Sequence, residues 1–202
     1  SRVLGARLAD GTSIPAADVV VAAGPWSPAL ADPSRRWRPI RPLWGVVVTV
    51  DLATPPRHVA EEAVSSVGAA HDPPGTDDPS SGVMFSLVTA SRASSLGSAF
   101  LEHEPDPAAL GDAIVVRGAR FVPAVASAPR TGVRVCARPL SLDGRPLLGR
   151  IGWSDGLWIA AGHGPWGIST GPGSATLVAD LILGRASGPP PELDPSRFGD
   201  PW

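Results

Sequence analysis

The chain has few of the residues that build metal centres, disulfide frameworks or charged binding surfaces. Its 202 residues include one cysteine, four histidines and no tyrosine, and 17 basic and 19 acidic residues leave a net charge of −2. A lone cysteine excludes an internal disulfide and is typical of a reducing compartment, so we expect a cytoplasmic protein. Because the charge is nearly balanced, neither nucleic acid nor a membrane surface is an expected partner.

Long apolar runs and metal-ligand spacings are also missing. No stretch of about 18 apolar residues could cross a bilayer, and the opening Ser1–Gly5 shows none of the regions of a signal peptide. His58, His71 and His103 show no metal-ligand spacing, so we expect surface histidines and no metal. Glycine (23 residues) and proline (24 residues) are abundant, which predicts many turns in a chain long enough to bury a core.

Short apolar runs separated by turn residues predict a mixed α/β chain. Residues 18–24 and 156–162 are apolar on both faces, as buried strands of an α/β sheet are. Asp10-Gly11 predicts a hairpin turn, and the Pro-, Gly-, Asp- and Ser-rich residues 53–82 predict a long loop or insertion. Further strands are expected at 43–50, 83–89, 97–102 and 132–137, a hairpin tip at 91–95, and a helix at 107–123.

One strand leads into a glycine-rich turn. Residues 162–173 follow the strand at 156–162, and a helix is expected from Ser174 to Leu183, with Pro172 near its first position and Gly184 after its end. Free N–H groups and the helix dipole make such a turn an anion pocket. Since a reduced flavin is negative at its N1 and C2-carbonyl edge, flavin is one interpretation. A βα connection without a ligand is the other, because a single glycine-rich turn is a weak signal.

Four motifs occur in order along the chain, and the glycine-rich turn belongs to the last of them. They are Val20–Ser27 (VVAAGPWS), Arg41–Gly45 (RPLWG), Ala137–Pro146 (ARPLSLDGRP) and Ala161–Pro172 (AGHGPWGISTGP). Together they resemble the D-amino-acid oxidase and glycine oxidase superfamily of FAD-dependent oxidoreductases, over nearly the whole chain. The resemblance implies a partial FAD-binding domain at 1–40 and 138–202, and an antiparallel substrate-binding sheet at 41–137.

The resemblance also assigns roles to residues. The turn after Ala23 would pass beside the FAD pyrophosphate and ribose, and the turn after His163 would lie against the isoalloxazine ring. The cofactor-binding residues implied in this way are Ala23, Gly24, Trp26, Gly162, His163, Pro165, Trp166, Gly167, Ile168 and Ser169. Alternatively, His163 is a structural residue that hydrogen-bonds to backbone, and Cys136 is a buried packing cysteine rather than a site of flavin attachment.

Arg138 is the catalytic candidate that the resemblance implies. The family's arginine at this place lies over the flavin and grips a substrate carboxylate, for which a forked guanidinium is suited. The alternative is a structural arginine that pairs with an acid such as Asp143. The reaction implied is hydride transfer from the substrate's C–N carbon to flavin, with O2 as the final acceptor.

Two departures limit what can be carried over. Pro165 stands where glycine oxidase-like members have a second carboxylate-binding arginine, and no tyrosine exists to close over an amino acid. Trp44 and Trp166 therefore suggest a flatter, more apolar substrate or a hydrophobic lid.

Residues 162–167 have the Gly-x-Gly-x-x-Gly spacing but open no first βαβ unit, and the family's amino-terminal βαβ unit is not found in the sequence. We therefore expect a carboxyl-terminal portion that binds FAD weakly or not at all by itself, with the other half, as a separate chain, a candidate partner. The rival interpretations are a non-catalytic binding or assembly member of the same fold and a truncated, inactive gene product.

Overall fold

A computed structural model describes residues 1–62, 83–90 and 93–201. Most of the expected loop or insertion at 53–82 lies outside the described residues, as does His71. The chain divides into two compact units: the first comprises residues 1–42 and 138–202, and the second comprises residues 43–137.

Ten strands and three α-helices make up the regular structure of the described residues. The strands are β1 Gly5–Arg7, β2 Ser13–Pro15, β3 Val19–Val21, β4 Ile40–Val50, β5 Ala60–Glu61, β6 Val83–Thr89, β7 Ser94–Ala99, β8 Arg130–Ser141, β9 Leu147–Arg150 and β10 Leu157–Ala161. The helices are α1 Ser27–Ala31, α2 Pro107–Ala119 and α3 Gly167–Ile182. Single 3-10 turns lie at Gly24–Trp26, Pro123–Ala126, Gly164–Trp166 and Pro195–Phe198.

The first unit contains a hairpin and a three-stranded sheet. The hairpin expected at Asp10-Gly11 is confirmed, but its strands are β1 and β2. Strand β3 instead pairs in parallel with β10, and β9 pairs antiparallel on the other side of β10. Val21 and Ile159 are buried in the core of this unit, whereas Val20 is 42% exposed. The expectation that 18–24 is apolar and buried on both faces is therefore wrong, because β3 is an edge strand covered on one face.

The carboxyl-terminal tail packs on β9, a strand that the sequence patterns did not indicate. Leu148 N donates to Leu193 O at 2.8 Å, and Phe198 packs against the core of the first unit. The tail thus covers the outer side of β9.

The second unit is built on a five-stranded sheet in the order β5-β6-β7-β4-β8. The pairs β5/β6, β6/β7 and β4/β7 are antiparallel, which confirms the antiparallel character expected here. Strand β7 begins at Ser94, so residues 94 and 95 are not part of a hairpin tip, while residues 91 and 92 lie outside the described chain. One face of the sheet carries α2, which begins after Asp106, whose carboxylate accepts from Ala108 N and Ala109 N.

Helix α3 begins seven residues earlier than expected, at Gly167 rather than Ser174. The expectation placed Pro172 at the first helical position, but Pro172 lies inside the helix. The proline that opens this segment is Pro165, in the preceding 3-10 turn. The end of the helix is confirmed, because Gly184 adopts the left-handed conformation (φ 67°) that terminates helices. Within the described residues, no helix has the length and apolarity needed to cross a bilayer.

Candidate functional site

Two neighbouring parallel strands of the first unit end in the same tripeptide. Strand β3 is followed by a Gly-Pro-Trp 3-10 turn at Gly24–Trp26, and β10 by a second one at Gly164–Trp166. Their opening glycines have nearly the same φ, 59° and 57°. Because β3 and β10 run parallel in register, both turns lie at the same edge of the sheet, where open α/β sheets bind ligands.

The first turn leaves its backbone approachable. A Cβ added to Gly24 would have no atom within 4 Å, so a ligand can come close to the chain there. The two tryptophans point outward: Trp26 is 63% exposed and Trp166 is 68% exposed. Aromatic surface of this size at the ligand edge of a sheet is suited to stacking on a planar ring.

The start of α3 supplies hydrogen-bond donors. The first-turn N–H groups of any helix lack intrahelical acceptors, and no side chain caps those of α3. The hydroxyls of Ser169 and Thr170 instead donate to Trp166 O, at 3.0 and 2.8 Å. The first turn contains no acidic residue, so the helix dipole makes this end favourable for negative charge.

His163 connects the second turn to its surroundings. Its backbone forms an antiparallel bridge with Leu140 of β8, and its carbonyl accepts from Trp166 N at 3.1 Å. Its Nε2 lies 2.9 Å from Ser174 Oγ on α3. Burial lowers the pKa of the imidazole from its usual value of 6.5, because desolvation disfavours the charged ring.

Gly162 can be replaced by no other residue without strain. Its φ is 90°, and an added Cβ would lie 3.0 Å from Leu147 Cδ1 and 3.3 Å from Ser141 Cβ. Glycine here lets β8 and β9 pack directly against the end of β10. The turn is therefore held in one conformation by its neighbours.

Arg138 lies on β8, two residues before Leu140. Side chains two apart along a strand share a face, and the Leu140 side chain lies against Gly164, whose added Cβ would meet Leu140 Cδ1 at 3.3 Å. Arg138 is thus on the face of β8 that meets the second turn. Asp143, its suggested structural partner, is bound by Arg197 through both carboxylate oxygens.

The remaining expected residues that the structure describes belong to the second unit. Trp44 belongs to the second unit, where its N–H donates to Leu101 O. Cys136 is half-buried rather than fully buried, and His58 and His103 are exposed. Across the part of the chain with described coordinates, no group of three or more His, Cys, Asp or Glu side chains is arranged to hold a metal ion.

A cavity of the first unit lies against β3. It measures about 840 Å³ and is lined by residues of β1, β3 and the segment after α1, with Trp153 and Leu157. Asp32 lines it, but its carboxylate accepts from the backbone N–H groups of Ser34, Arg36 and Trp37. The cavity includes Ala22 and Ala23 and none of residues 162–169, so it reaches the first turn only.

A family model described as DAO, FAD dependent oxidoreductase, matches residues 1–181. The chain belongs to this FAD-dependent family. It is 30% identical to the D-amino acid dehydrogenase of Cereibacter sphaeroides (strain ATCC 17029 / ATH 2.4.9) over 98% of its own length and 41% of that protein. It is 34% identical to the D-amino acid dehydrogenase of Paramagnetospirillum magneticum over 92% of its length and 41% of that protein. The predicted family is confirmed.

Solved structures agree on the fold. Glycine oxidase from Geobacillus kaustophilus superposes with a TM-score of 0.71 at 23% identity, over 93% of this chain and 47% of that one. L-proline dehydrogenase from P. horikoshii gives 0.69 at 18% identity, over 98% and 50%. The chain therefore spans about two-fifths to one half of the relatives it matches, as expected for a partial domain of this fold.

The donor set of the first unit fits part of a flavin. Uncapped N–H groups at the start of α3 suit an anionic ring edge, and the open backbone at Gly24 admits a ligand at van der Waals distance. The sequence patterns missed Ser174, which lies 11 residues from the histidine that it contacts. A serine inside a helical pattern carries no local signal for such a contact.

Proposed function

We propose that the first unit forms the isoalloxazine end of an FAD site, in an enzyme that oxidises the C–N bond of an amine or amino acid. The observation that supports this best is the pair of Gly-Pro-Trp turns at one sheet edge, the second of which leads into the uncapped start of α3. In this proposal, residues 1–40 and 138–202 bind FAD, and residues 41–137 form the substrate-binding sheet.

Each turn has a distinct role in this site. The backbone from Pro165 to Ser169, including Trp166, would face the electron-rich edge of the ring, and the N–H groups of Gly167, Ile168 and Ser169 would be its hydrogen-bond donors. Gly162 and His163 fix the path of the chain before it. Ala23, Gly24 and Trp26 line the route of the ribose and pyrophosphate. When bound, FAD supplies the two-electron acceptor for the oxidation.

Arg138 is the proposed catalytic group, because it would bind the carboxylate of the substrate and orient the C–H bond to be broken. Its position on the face of β8 that meets the second turn supports this role. Trp166 would contact the apolar part of the substrate, and Trp44 stays a proposed substrate-binding residue of the second unit.

The relatives support the proposed class of substrate. The matched proteins named above are D-amino acid dehydrogenases and a glycine oxidase, which supports an amino-acid substrate. We propose O2 as the final acceptor, with hydrogen peroxide as product. A non-catalytic binding member of the same fold is the second candidate, supported by Pro165 standing in place of a second carboxylate-binding arginine.

The adenosine end of FAD needs a further contribution. The Gly-x-Gly-x-x-Gly spacing at 162–167 leads into α3 and opens no βαβ unit, so we propose that a nucleotide-binding unit of that type, on this or a separate chain, completes the site. The purified chain alone should then retain FAD weakly or not at all after desalting. The measurement is flavin absorbance per mole of protein, and stable one-to-one retention would contradict the prediction.

Activity can be tested by complementation. The chain is mixed with the amino-terminal portion of the Cereibacter sphaeroides enzyme, which lies outside the match, and D-amino acids, L-amino acids and amines are tested. Oxygen consumption and reduction of an artificial dye are followed in parallel, because they distinguish an oxidase from a dehydrogenase. Retained FAD with no turnover of any substrate would favour the non-catalytic candidate.

Arg138→Ala should lower kcat/KM for a carboxylate substrate about 30-fold or more, since the loss of a charged hydrogen-bonding partner typically costs about 2 kcal/mol or more. Arg138→Lys should recover part of the loss, because an ammonium retains the charge without the fork. Arg134→Ala, a loss of one exposed arginine from the same strand, serves as the matched control. Equal effects of the two alanine variants would refute the role of Arg138.

A further inference from the structure

Three polar groups connect the second turn to α3 through two short contacts that share the Ser174 hydroxyl. His163 Nε2 lies 2.9 Å from Ser174 Oγ, and Ser174 Oγ lies 3.1 Å from Thr170 O. Ser174 is buried and His163 is half-buried, so water does not readily replace either contact.

The single hydroxyl hydrogen of Ser174 decides the direction of both hydrogen bonds. The carbonyl of Thr170 can only accept, so the hydroxyl donates to it and the oxygen of Ser174 remains as an acceptor. Nε2 of His163 must then carry the hydrogen. If Nδ1 carried it instead, Ser174 would have to donate to Nε2, and two oxygen acceptors would face each other at 3.1 Å with no hydrogen between them.

We propose that His163 is a positioning residue, held by Ser174 as an Nε2–H donor that ties the second Gly-Pro-Trp turn to α3. The turn contains glycine at 162, 164 and 167 and is intrinsically free to rearrange. His163 restrains it at three points: its backbone at β8, its carbonyl at Trp166 N and its side chain at α3. The restraint fixes the direction of the donors that the proposed flavin site uses, so this consequence rests on the proposed function.

The ring is neutral at neutral pH in this arrangement. Burial lowers the pKa of His163, and a neutral imidazole carries only one N–H, which the geometry assigns to Nε2. The tautomer is thus determined by packing and hydrogen bonding and does not depend on a bound ligand.

The tautomer is directly measurable in the chain without flavin. Long-range 15N–1H correlation spectra of the 15N-labelled chain should show an Nε2–H tautomer for His163, with the signal assigned by its loss in His163→Gln. Ser174→Ala should produce averaging between tautomers, whereas Ser174→Thr, which keeps the hydroxyl, should preserve the Nε2–H form. An Nδ1–H tautomer in the unsubstituted chain would overturn the proposal.

Positioning of the turn has its own measurement. Loss of the Ser174 hydroxyl should speed hydrogen exchange of the Trp166 amide, which donates to His163 O, by about 3- to 10-fold, the factor of one net hydrogen bond. Thr176→Ala is the matched control, because Thr176 also donates its hydroxyl to the carbonyl four residues earlier, Pro172 O at 3.1 Å, but is exposed. Equal acceleration in both variants would overturn the proposal.

Measuring FAD affinity makes a failure of this inference distinguishable from a failure of the proposed function. In the complemented assembly, Ser174→Ala should weaken FAD binding about 3- to 10-fold, with recovery in Ser174→Thr and no change in Thr176→Ala. Unchanged affinity in Ser174→Ala would overturn the positioning role. If the unsubstituted assembly binds no FAD, the proposed function fails, while the tautomer and exchange measurements still decide whether His163 is held by Ser174.

Discussion

At the scale of single residues, the Arg197 side chain of the first unit makes several hydrogen bonds at once. Its Nε donates to Asp143 Oδ2 at 2.7 Å and its Nη2 to Asp143 Oδ1 at 3.1 Å. The same guanidinium donates to three backbone carbonyls, those of Asp194, Arg145 and Pro146. The tail is therefore fastened to the turn between β8 and β9 by one residue, whose fixed donor fork suits this geometry.

Asp143 gives this contact a pH dependence. The Arg197 guanidinium lowers the pKa of the Asp143 carboxyl from 3.8 to about 2. Since the folded pKa lies below the unfolded one, the contribution to stability is complete above about pH 4 and is lost as the pH falls toward 2. Asp143→Asn should lower the free energy of unfolding by up to about 1 kcal/mol at pH 7, a modest value because its side chain is 36% exposed and solvent screens the pair.

Urea unfolding at pH 7, 5 and 3 measures this effect. The difference between Asp143→Asn and the unsubstituted chain should narrow at pH 3. Asp112→Asn is the control, because the Arg130–Asp112 pair is more exposed on both sides and should contribute less. A difference for Asp143→Asn that stays constant down to pH 3 would contradict the assigned pKa.

At the scale of elements, the helices show where local patterns suffice and where they do not. The start of α2 follows from Asp106-Pro107, an acceptor side chain and a proline that both favour the first turn. The sequence patterns predict the start of α3 at the wrong residue, because two prolines, Pro165 and Pro172, both match the preference for proline in the first turn of a helix. The packing of Gly162, Gly164 and His163 against β8 and β9 directs the chain into a helix at Gly167, ahead of the second proline.

Two glycines of α2 offer a matched test of packing on the sheet. A Cβ at Gly111 would lie 3.5 Å from Val48 Cγ2, an ordinary contact, so Gly111→Ala should stabilise the protein by about 0.5–1 kcal/mol through helix propensity. A Cβ at Gly118 would lie 2.9 Å from Cδ1 of the fully buried Leu96, so Gly118→Ala should destabilise by about 1–3 kcal/mol.

Chemical denaturation of the two variants decides between packing and propensity. Opposite signs are expected, since the two sites share a helix and a substitution and differ in the space available. Equal stabilisation by both variants would mean that the Leu96 side chain moves aside without a cost in free energy. The close helix–sheet contact at Gly118 would then not require glycine at this position.

At the scale of the whole molecule, each unit has its own core. The core of the first unit includes Val21, Leu147 and Ile159, and that of the second includes Val48, Leu87 and Leu96. No buried residue is common to the two sets. Each unit therefore supplies its own hydrophobic stabilisation.

Ile159→Ala should remove about 2–5 kcal/mol of stability, the usual cost of a cavity at a fully buried site. Native-state hydrogen exchange should show the loss of protection mainly in residues 1–42 and 138–201. Leu87→Ala, also fully buried, should affect mainly residues 43–62, 83–90 and 93–137. A uniform loss across both units in either variant would indicate a single cooperative unfolding unit.

The sequence by itself determined the family, the carboxyl-terminal share of it, the antiparallel sheet and the two turns at the ligand edge. The family, its carboxyl-terminal share and the antiparallel sheet follow from the resemblance of four ordered motifs. The turns follow from local signals: glycine where φ is positive and proline at the first position of a turn. Tertiary structure alone decided that β9 exists, that α3 begins at Gly167, and that Arg197 binds Asp143. It also decided that Ser174 fixes the hydrogen of His163. These contacts join residues 11 and 54 positions apart, and a pattern within one segment holds no information about a partner brought near only by folding.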